Sequence, residues 1–162
     1  MTRSVTDQWG QGHDTILQML RDGQLETVPA NPAHVDLLLQ RAAANLTTVS
    51  QIQDDNPGLA YDGLYDAARF ALTAILAQQG LRPTRAGGHI AVAQAVRAQL
   101  DPPLGATIAS FDRLRRTRNR NEYPTPDSAA ITVHDVNTGV PVAQQLLDIA
   151  QRVVPNLPVF RA

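Results

Sequence analysis

From Val35 to Ile52 apolar residues return at helical spacing, and the run starts directly behind Asn31-Pro32. Val35, Leu38, Leu39, Ala42, Leu46, Val49 and Ile52 fall three or four positions apart, which places them on one face of an α-helix. Asparagine before proline is a start signal. Its side-chain oxygen can accept from the unpartnered N–H groups of the first turn, where a proline ring costs no hydrogen bond. The pattern predicts a helix over 32–53, and with it a core built by packing helices.

The same period recurs downstream. After Asn56-Pro57-Gly58, read as a turn, Leu59, Ala60, Leu64, Ala67, Ala68, Ala71, Leu72, Ile75 and Leu76 predict a helix ending at Gly80. Its small residues would let a neighbouring helix approach closely. Residues 80–88 are expected to form a loop. His89 then opens a shorter helix through Ile90, Val92, Ala93, Val96 and Leu100, closed by Asp101-Pro102-Pro103. A further helix over 105–122 rests on Ile108, Phe111, Leu114 and Arg118, and Pro124 and Pro126 stop it. Thr132 with Asp135 resembles a capping box. It would begin a last helix on Val133, Val136, Val140, Ala143, Leu147, Ala150 and Val154, kinked by Gly139 and Pro141. A short strand over Ile131–His134 is the competing reading. Near the start, Asp14 is expected to cap a short helix through Thr15, Ile16, Leu17, Met19 and Leu20 that Gly23 ends, behind a frayed, polar 1–12.

The expected fold is therefore all-α: a single-domain antiparallel bundle of four to five main helices. Residues 1–30 would be an extension with a short helix, 31–155 the domain and 156–162 a tail. Aromatic residues make up only 4% of the chain, which suits alanine-rich helix packing better than a β-sandwich. The absence of cysteine removes disulfides and thiolate metal sites. No apolar stretch approaches the ~18 residues of a membrane span, and no secretory leader is visible, so a cytoplasmic protein is expected. All fourteen basic residues are arginine, most simply a mark of genomic base composition.

Net charge is −1, so any attraction to nucleic acid must come from a local patch. One exists. Between Arg113 and Arg120 stand five arginines in eight residues, followed by Asn121-Glu122-Tyr123-Pro124. Phe111, Leu114 and Arg118 share one helical stripe, with Arg115 and Asn119 beside it, while Arg113, Arg116 and Arg120 point to solvent. A charge on an apolar stripe needs a partner. Four are available to Arg118: Glu122 one turn on, an acid from another helix, the same patch on a second subunit, or a phosphate, which guanidinium binds through paired hydrogen bonds. The bland alternative is that these arginines cap the helix C-terminus and that Asp112 pairs with Arg116.

Arg118-Asn119 resembles the first half of the signature of HEPN domains, small helical bundles in which an arginine and a polar residue precede a histidine by four to six positions. Ala60-Tyr61-Asp62-Gly63-Leu64-Tyr65-Asp66-Ala67-Ala68-Arg69-Phe70-Ala71-Leu72 resembles the long helix of that family. Gly80-Leu81-Arg82-Pro83-Thr84-Arg85-Ala86-Gly87-Gly88-His89 resembles the loop after it, and Phe111-Asp112-Arg113-Leu114-Arg115 the approach to the signature. The similarity spans about residues 33–155 and is greatest to an actinobacterial-type subgroup whose signature ends in Glu-Tyr-Pro. It implies a homodimer whose signature helices face a shared groove, RNA or a nucleotide as ligand, and, in active members, metal-independent cleavage leaving 2′,3′-cyclic phosphate ends. The implied catalytic set is Arg118, Asn119, Glu122 and Tyr123, with Arg115, Arg118 and Asn119 as binding residues. A nucleotidyltransferase-like antitoxin is a partner the toxin members would imply.

The sequence departs from that signature where Tyr123 replaces the histidine. A phenol, which ordinarily loses its proton near pH ~10, is a poor general base at neutral pH, whereas imidazole is well matched. Glu122 is the other local proton acceptor. His89 reads as a polar residue at a helix start, His34 and His134 lie in first turns, and His13 lies near the frayed start. No pair has metal-ligand spacing, so neither metal nor cofactor is expected. Tyr61 and Tyr65 lie one turn apart and read as core with the hydroxyl at the rim, or, more sharply, as a platform for an RNA base. Gly87-Gly88 lacks the lysine of a phosphate loop. Three functions follow: an RNA- or nucleotide-binding dimer with a degenerate ribonuclease signature, an active endoribonuclease of toxin or stress-response type, or a helical protein-interaction module.

Overall fold

A computed structural model of the chain describes residues 10–162. Among these, six helices and one small ribbon form the fold, in the order α1 (His13–Arg21), β1 (Leu25–Thr27), α2 (Pro32–Ile52), α3 (Pro57–Gln78), β2 (Leu81–Pro83), α4 (Gly88–Leu100), α5 (Gly105–Glu122) and α6 (Val133–Val153). A single 3-10 turn, Val154–Asn156, follows α6. The all-α bundle expected from periodicity is present, with α2 to α6 as its five main helices. No described helix is long and apolar enough to cross a membrane.

Helix α3 is the axis of the bundle. Twelve of its residues are buried, from Ala60 to Ala77, and they occupy most of its circumference, as expected of a helix enclosed on all sides. It packs against α2, α4, α5 and α6. Leu64, Leu72 and Ile75 are wholly buried, each worth about 1.5–3 kcal/mol of transfer free energy. Small residues set the spacing. A Cβ on Gly63 would lie 3.1 Å from Val49 of α2, and one on Gly139 of α6 would lie 3.1 Å from Leu64. The glycine in α6 is thus a packing residue, and α6 runs unbroken through Pro141.

Local signals fixed several boundaries. Asn31 Oδ1 accepts from Ala33 N and His34 N at 3.1 and 3.3 Å. The capping box at α6 is complete, with Asp135 in place of the usual glutamate, so Ile131–His134 leads into a helix rather than forming a strand. Three expectations need correction. Asn56-Pro57-Gly58 is a helix start: Asn56 Oδ1 accepts from Leu59 N at 3.0 Å, and Pro57 and Gly58 lie in α3. Asp14 lies inside the first turn of α1 and does not cap it, since the N-cap is Gly12 at φ +77°. The stretch 80–88 is not all loop, because Leu81–Pro83 pairs antiparallel with Leu25–Thr27. Three-residue strands are too short to show a period.

That ribbon ties the ends into the bundle. Ile16, Met19 and Leu25 ahead of residue 31, and Leu157 beyond residue 155, are buried in the same core cluster. Phe160 N donates to Gln79 O at 2.9 Å, and His13 stacks on Phe160 at 5.0 Å. Of the expected frayed start, residues 1–9 lie outside the described residues.

Candidate phosphate site at the end of the arginine helix

Helix α5 buries Ile108, Phe111 and Leu114 and carries Arg118 out along the same stripe to where α3 and α4 meet it. Arg118 is about a quarter exposed and pairs through Nη1 with Glu122 Oε2, the first of the partners open to it. Its guanidinium carbon lies 5.3 Å from the centre of the Tyr65 ring, within range of a cation–π contact. Tyr65 comes from α3 and is buried, and its ring stacks on Phe111 at 5.3 Å. The apolar stripe of α5 thus continues into an aromatic seat that faces the arginine's guanidinium while leaving part of the side chain at the surface.

The tyrosine does one more thing. Its hydroxyl lies 2.6 Å from Nδ1 of His89, at the start of α4. A histidine 29 positions before Arg118 in sequence is therefore joined to it through one aromatic ring. Arg69 and Asp66, paired at 3.2 Å, flank the group on α3. Burial pushes the Tyr65 hydroxyl above its ordinary value of 10.0, with Arg118 and Arg69 pulling the other way. Burial, then Arg69 and Arg118, lower His89 below 6.5, partly offset by Asp66 and Glu122. At neutral pH the pair is a protonated phenol against a neutral imidazole.

Which way the proton points follows from satisfaction. Tyr65 has His89 as its one hydroxyl partner among the described residues, and a buried O–H left without an acceptor costs free energy. The phenol therefore donates to Nδ1, and the neutral ring carries its own proton on Nε2. His89 is an exposed residue. It presents an N–H donor, not a free lone pair, beside the head of Arg118.

The remaining arginines separate into roles. Asp112 accepts from Arg115 Nε and Nη2 at 3.0 and 2.7 Å and also pairs with Arg116. Those two arginines, Arg115 foremost, hold the Asp112 carboxyl below 3.8. The Asp112–Arg116 pair is the one the sequence offered, whereas the tie of Arg115 within its own helix was not foreseen. Arg113, Arg116 and Arg120 are exposed, with Arg120 3.8 Å from Asp135. Asn119 is half-buried and makes no side-chain hydrogen bond among the described residues.

Tyr123 stands 70% exposed at the C-cap, where the backbone leaves the helix ahead of Pro124. The contacts that hold Arg118 come from Glu122 and Tyr65 instead. Neighbouring Asn121 closes the helix end differently, donating to Gly58 O and Asp62 Oδ1, both at 3.0 Å.

The chain matches no family model, no curated protein and no solved structure.

The site's chemistry therefore rests on its own geometry. Of the residues picked from sequence, Arg118 and Glu122 are in contact, Asn119 lies between them in the chain, Arg115 is engaged by Asp112, and Tyr123 stands exposed apart from them. Sequence reasoning missed the tie between His89 and Tyr65. A faint signal existed: Tyr65 lies one turn before Arg69 on α3, and His89 follows a glycine pair that lets the chain turn sharply, with Gly88 at φ +57°. Neither signal specifies a meeting across helices.

Proposed function

We propose that this chain is a HEPN-like domain that binds the phosphate of RNA or of a nucleotide at Arg118, and that it cleaves RNA weakly or not at all. One observation carries the reading: Arg118 and His89 are seated on the same tyrosine, both with donor groups toward solvent. Arg118 keeps N–H groups beyond those facing Glu122, and a guanidinium with a neighbouring imidazole N–H is a good match for the oxygens of a phosphodiester. The resemblance of Arg118-Asn119 to the HEPN signature supports the same ligand and adds the expectation of a homodimer pairing its α5 helices.

Binding is favoured over cleavage by the direction of the Tyr65–His89 bond. A 2′-OH attacking its adjacent phosphorus must give up a proton to a base as the P–O5′ bond breaks and the 5′ oxygen gains one. His89 with a proton on Nε2 and a bonded Nδ1 has no lone pair to accept it. Arg118 would still stabilise the developing negative charge, so residual activity is compatible with the site.

The test is total RNA incubated in EDTA with the wild-type protein and with Arg118→Ala, followed by end-group analysis and a binding titration against salt. Binding that weakens with salt and is lost in the variant, without cyclic phosphate ends, supports the reading. Cleavage giving those ends and vanishing in the variant would establish an endoribonuclease instead. Unchanged RNA and nucleotide affinity in Arg118→Ala would remove Arg118 from the site.

A further inference from the structure

On the far side of His89 the surface opens into a groove of about 640 Å³. Its floor is one stripe of α3, with Arg69, Thr73 and Ala77 at successive turns below Tyr65. Its other walls are the start of α2, strand β2 with the segment to Arg85, and the start of α4. Three features make it a place for an anion. Arg69, Arg82 and Arg85 all line it, and among the described residues no carboxylate does. Arg85 is in no ion pair among the described residues. Arg82 spends Nε and Nη2 on Glu26 across the ribbon, at 2.9 and 2.8 Å, and Arg69 spends Nε on Asp66. Each guanidinium has five N–H donors, so both keep donors for a ligand.

Two helix starts open on the same groove. His34 stands in the first turn of α2, and Gly88 and His89 begin α4, so both positive helix ends face the space the arginines surround. Val28, Pro29 and Pro83 supply an accessible apolar side, backed by the buried Leu81 and Val92. The volume falls in the range of small-molecule sites, about 300–1,000 Å³. A bare anion would leave that apolar wall unused.

We propose that this groove binds a phosphomonoester the size of a nucleotide, its phosphate among Arg69, Arg82 and Arg85 and its body against Val28, Pro29 and Pro83. The assignment goes beyond the Arg118 reading and does not need it. The two sites meet at His89 and at Arg69, which flanks the first and lines the second, while Arg118 serves only the first and Arg82 and Arg85 only the second.

The experiment is calorimetric titration of the full chain with AMP, with inorganic pyrophosphate and with adenosine. It is repeated on Arg85→Glu, an exposed position whose fold is checked by circular dichroism, on Arg118→Ala, and on Arg113→Ala as a control outside both sites. AMP and pyrophosphate should bind and adenosine should not. Arg85→Glu should weaken AMP by about tenfold or more, the scale of one lost charge-assisted contact. Arg113→Ala, an exposed arginine of α5 that does not line the groove, should leave AMP affinity within about twofold. Failure of wild type to bind AMP, binding of pyrophosphate alone, or AMP binding indifferent to Arg85→Glu would each overturn the proposal. Loss of AMP binding in Arg118→Ala with Arg85→Glu unaffected would place the nucleotide at the α5 site instead.

Discussion

Tyr65→Phe removes a single oxygen from the centre of the candidate site and tests how its proton is placed. The ring's stacking on Phe111 and the Arg118 contact survive, because phenylalanine keeps the same faces. What is lost is one hydrogen bond, 2.6 Å long, to Nδ1 of His89. Water can reach an exposed histidine, so the net cost is that of one ordinary bond, about 0.5–1.5 kcal/mol. For a chain of this size that lowers the melting temperature by about 1–6 °C. The more pointed readout is His89 itself. In wild type, nitrogen NMR should find the neutral ring with its proton on Nε2. Protonating Nδ1 reverses the bond and leaves the buried phenol O–H without an acceptor, so Tyr65→Phe, which has no such O–H, should raise the pKa of His89. The rise should be partial, because burial, Arg69 and Arg118 still oppose the charge. The sign for stability follows. A native pKa below 6.5 means the unfolded chain binds more protons, so stability falls as pH drops from about 6.5 through the native value, and is level above it. That acid-side loss should shrink in the variant. A wild-type ring protonated on Nδ1, or a His89 pKa untouched by Tyr65→Phe, would refute the reasoning and restore Nε2 as a candidate base.

Two further substitutions probe the scaffold. Gly12→Ala should cost about 2–5 kcal/mol in urea unfolding, since the position has φ +77° and the new Cβ would collide with the Ala98 carbonyl, which is backbone and cannot yield. Thr132→Ala should cost about 0.5–2 kcal/mol by loss of the α6 cap. It should also soften the acid limb: Asp135 is held below 3.8 mainly by the Thr132 backbone N–H, with the hydroxyl contributing, so its stability is present above about 3.8 and lost as pH falls through the native value. An acid-unfolding profile of Thr132→Ala identical to wild type would exclude that hydroxyl from the network.

Much of the fold was legible because its signals are local. The period from Val35 to Ile52, the Asn31 cap and the Thr132–Asp135 box each act within four residues of chain, and all three appear as the sequence implied. Even the seat of Arg118 was partly readable, since Phe111, Leu114 and Arg118 must share a face of any helix that contains them, and Glu122 must lie one turn on. Asn56-Pro57 was misread for a related reason: the same dipeptide serves a turn or a helix start, and here Asn56 caps α3 while Asn121 of α5 bonds Gly58 in its first turn.

Contacts between distant segments were decided by tertiary structure alone. The pairing of Leu25–Thr27 with Leu81–Pro83 rests on three residues a side, too few for a period. The bond between Tyr65 and His89, and the groove where Arg69 meets Arg82 and Arg85, join side chains from helices, a strand and a loop. One-dimensional spacing constrains which residues share a face of one helix. Which faces meet depends on how α3, buried on nearly every side, distributes its neighbours around it, and that is set by the summed packing of the whole core.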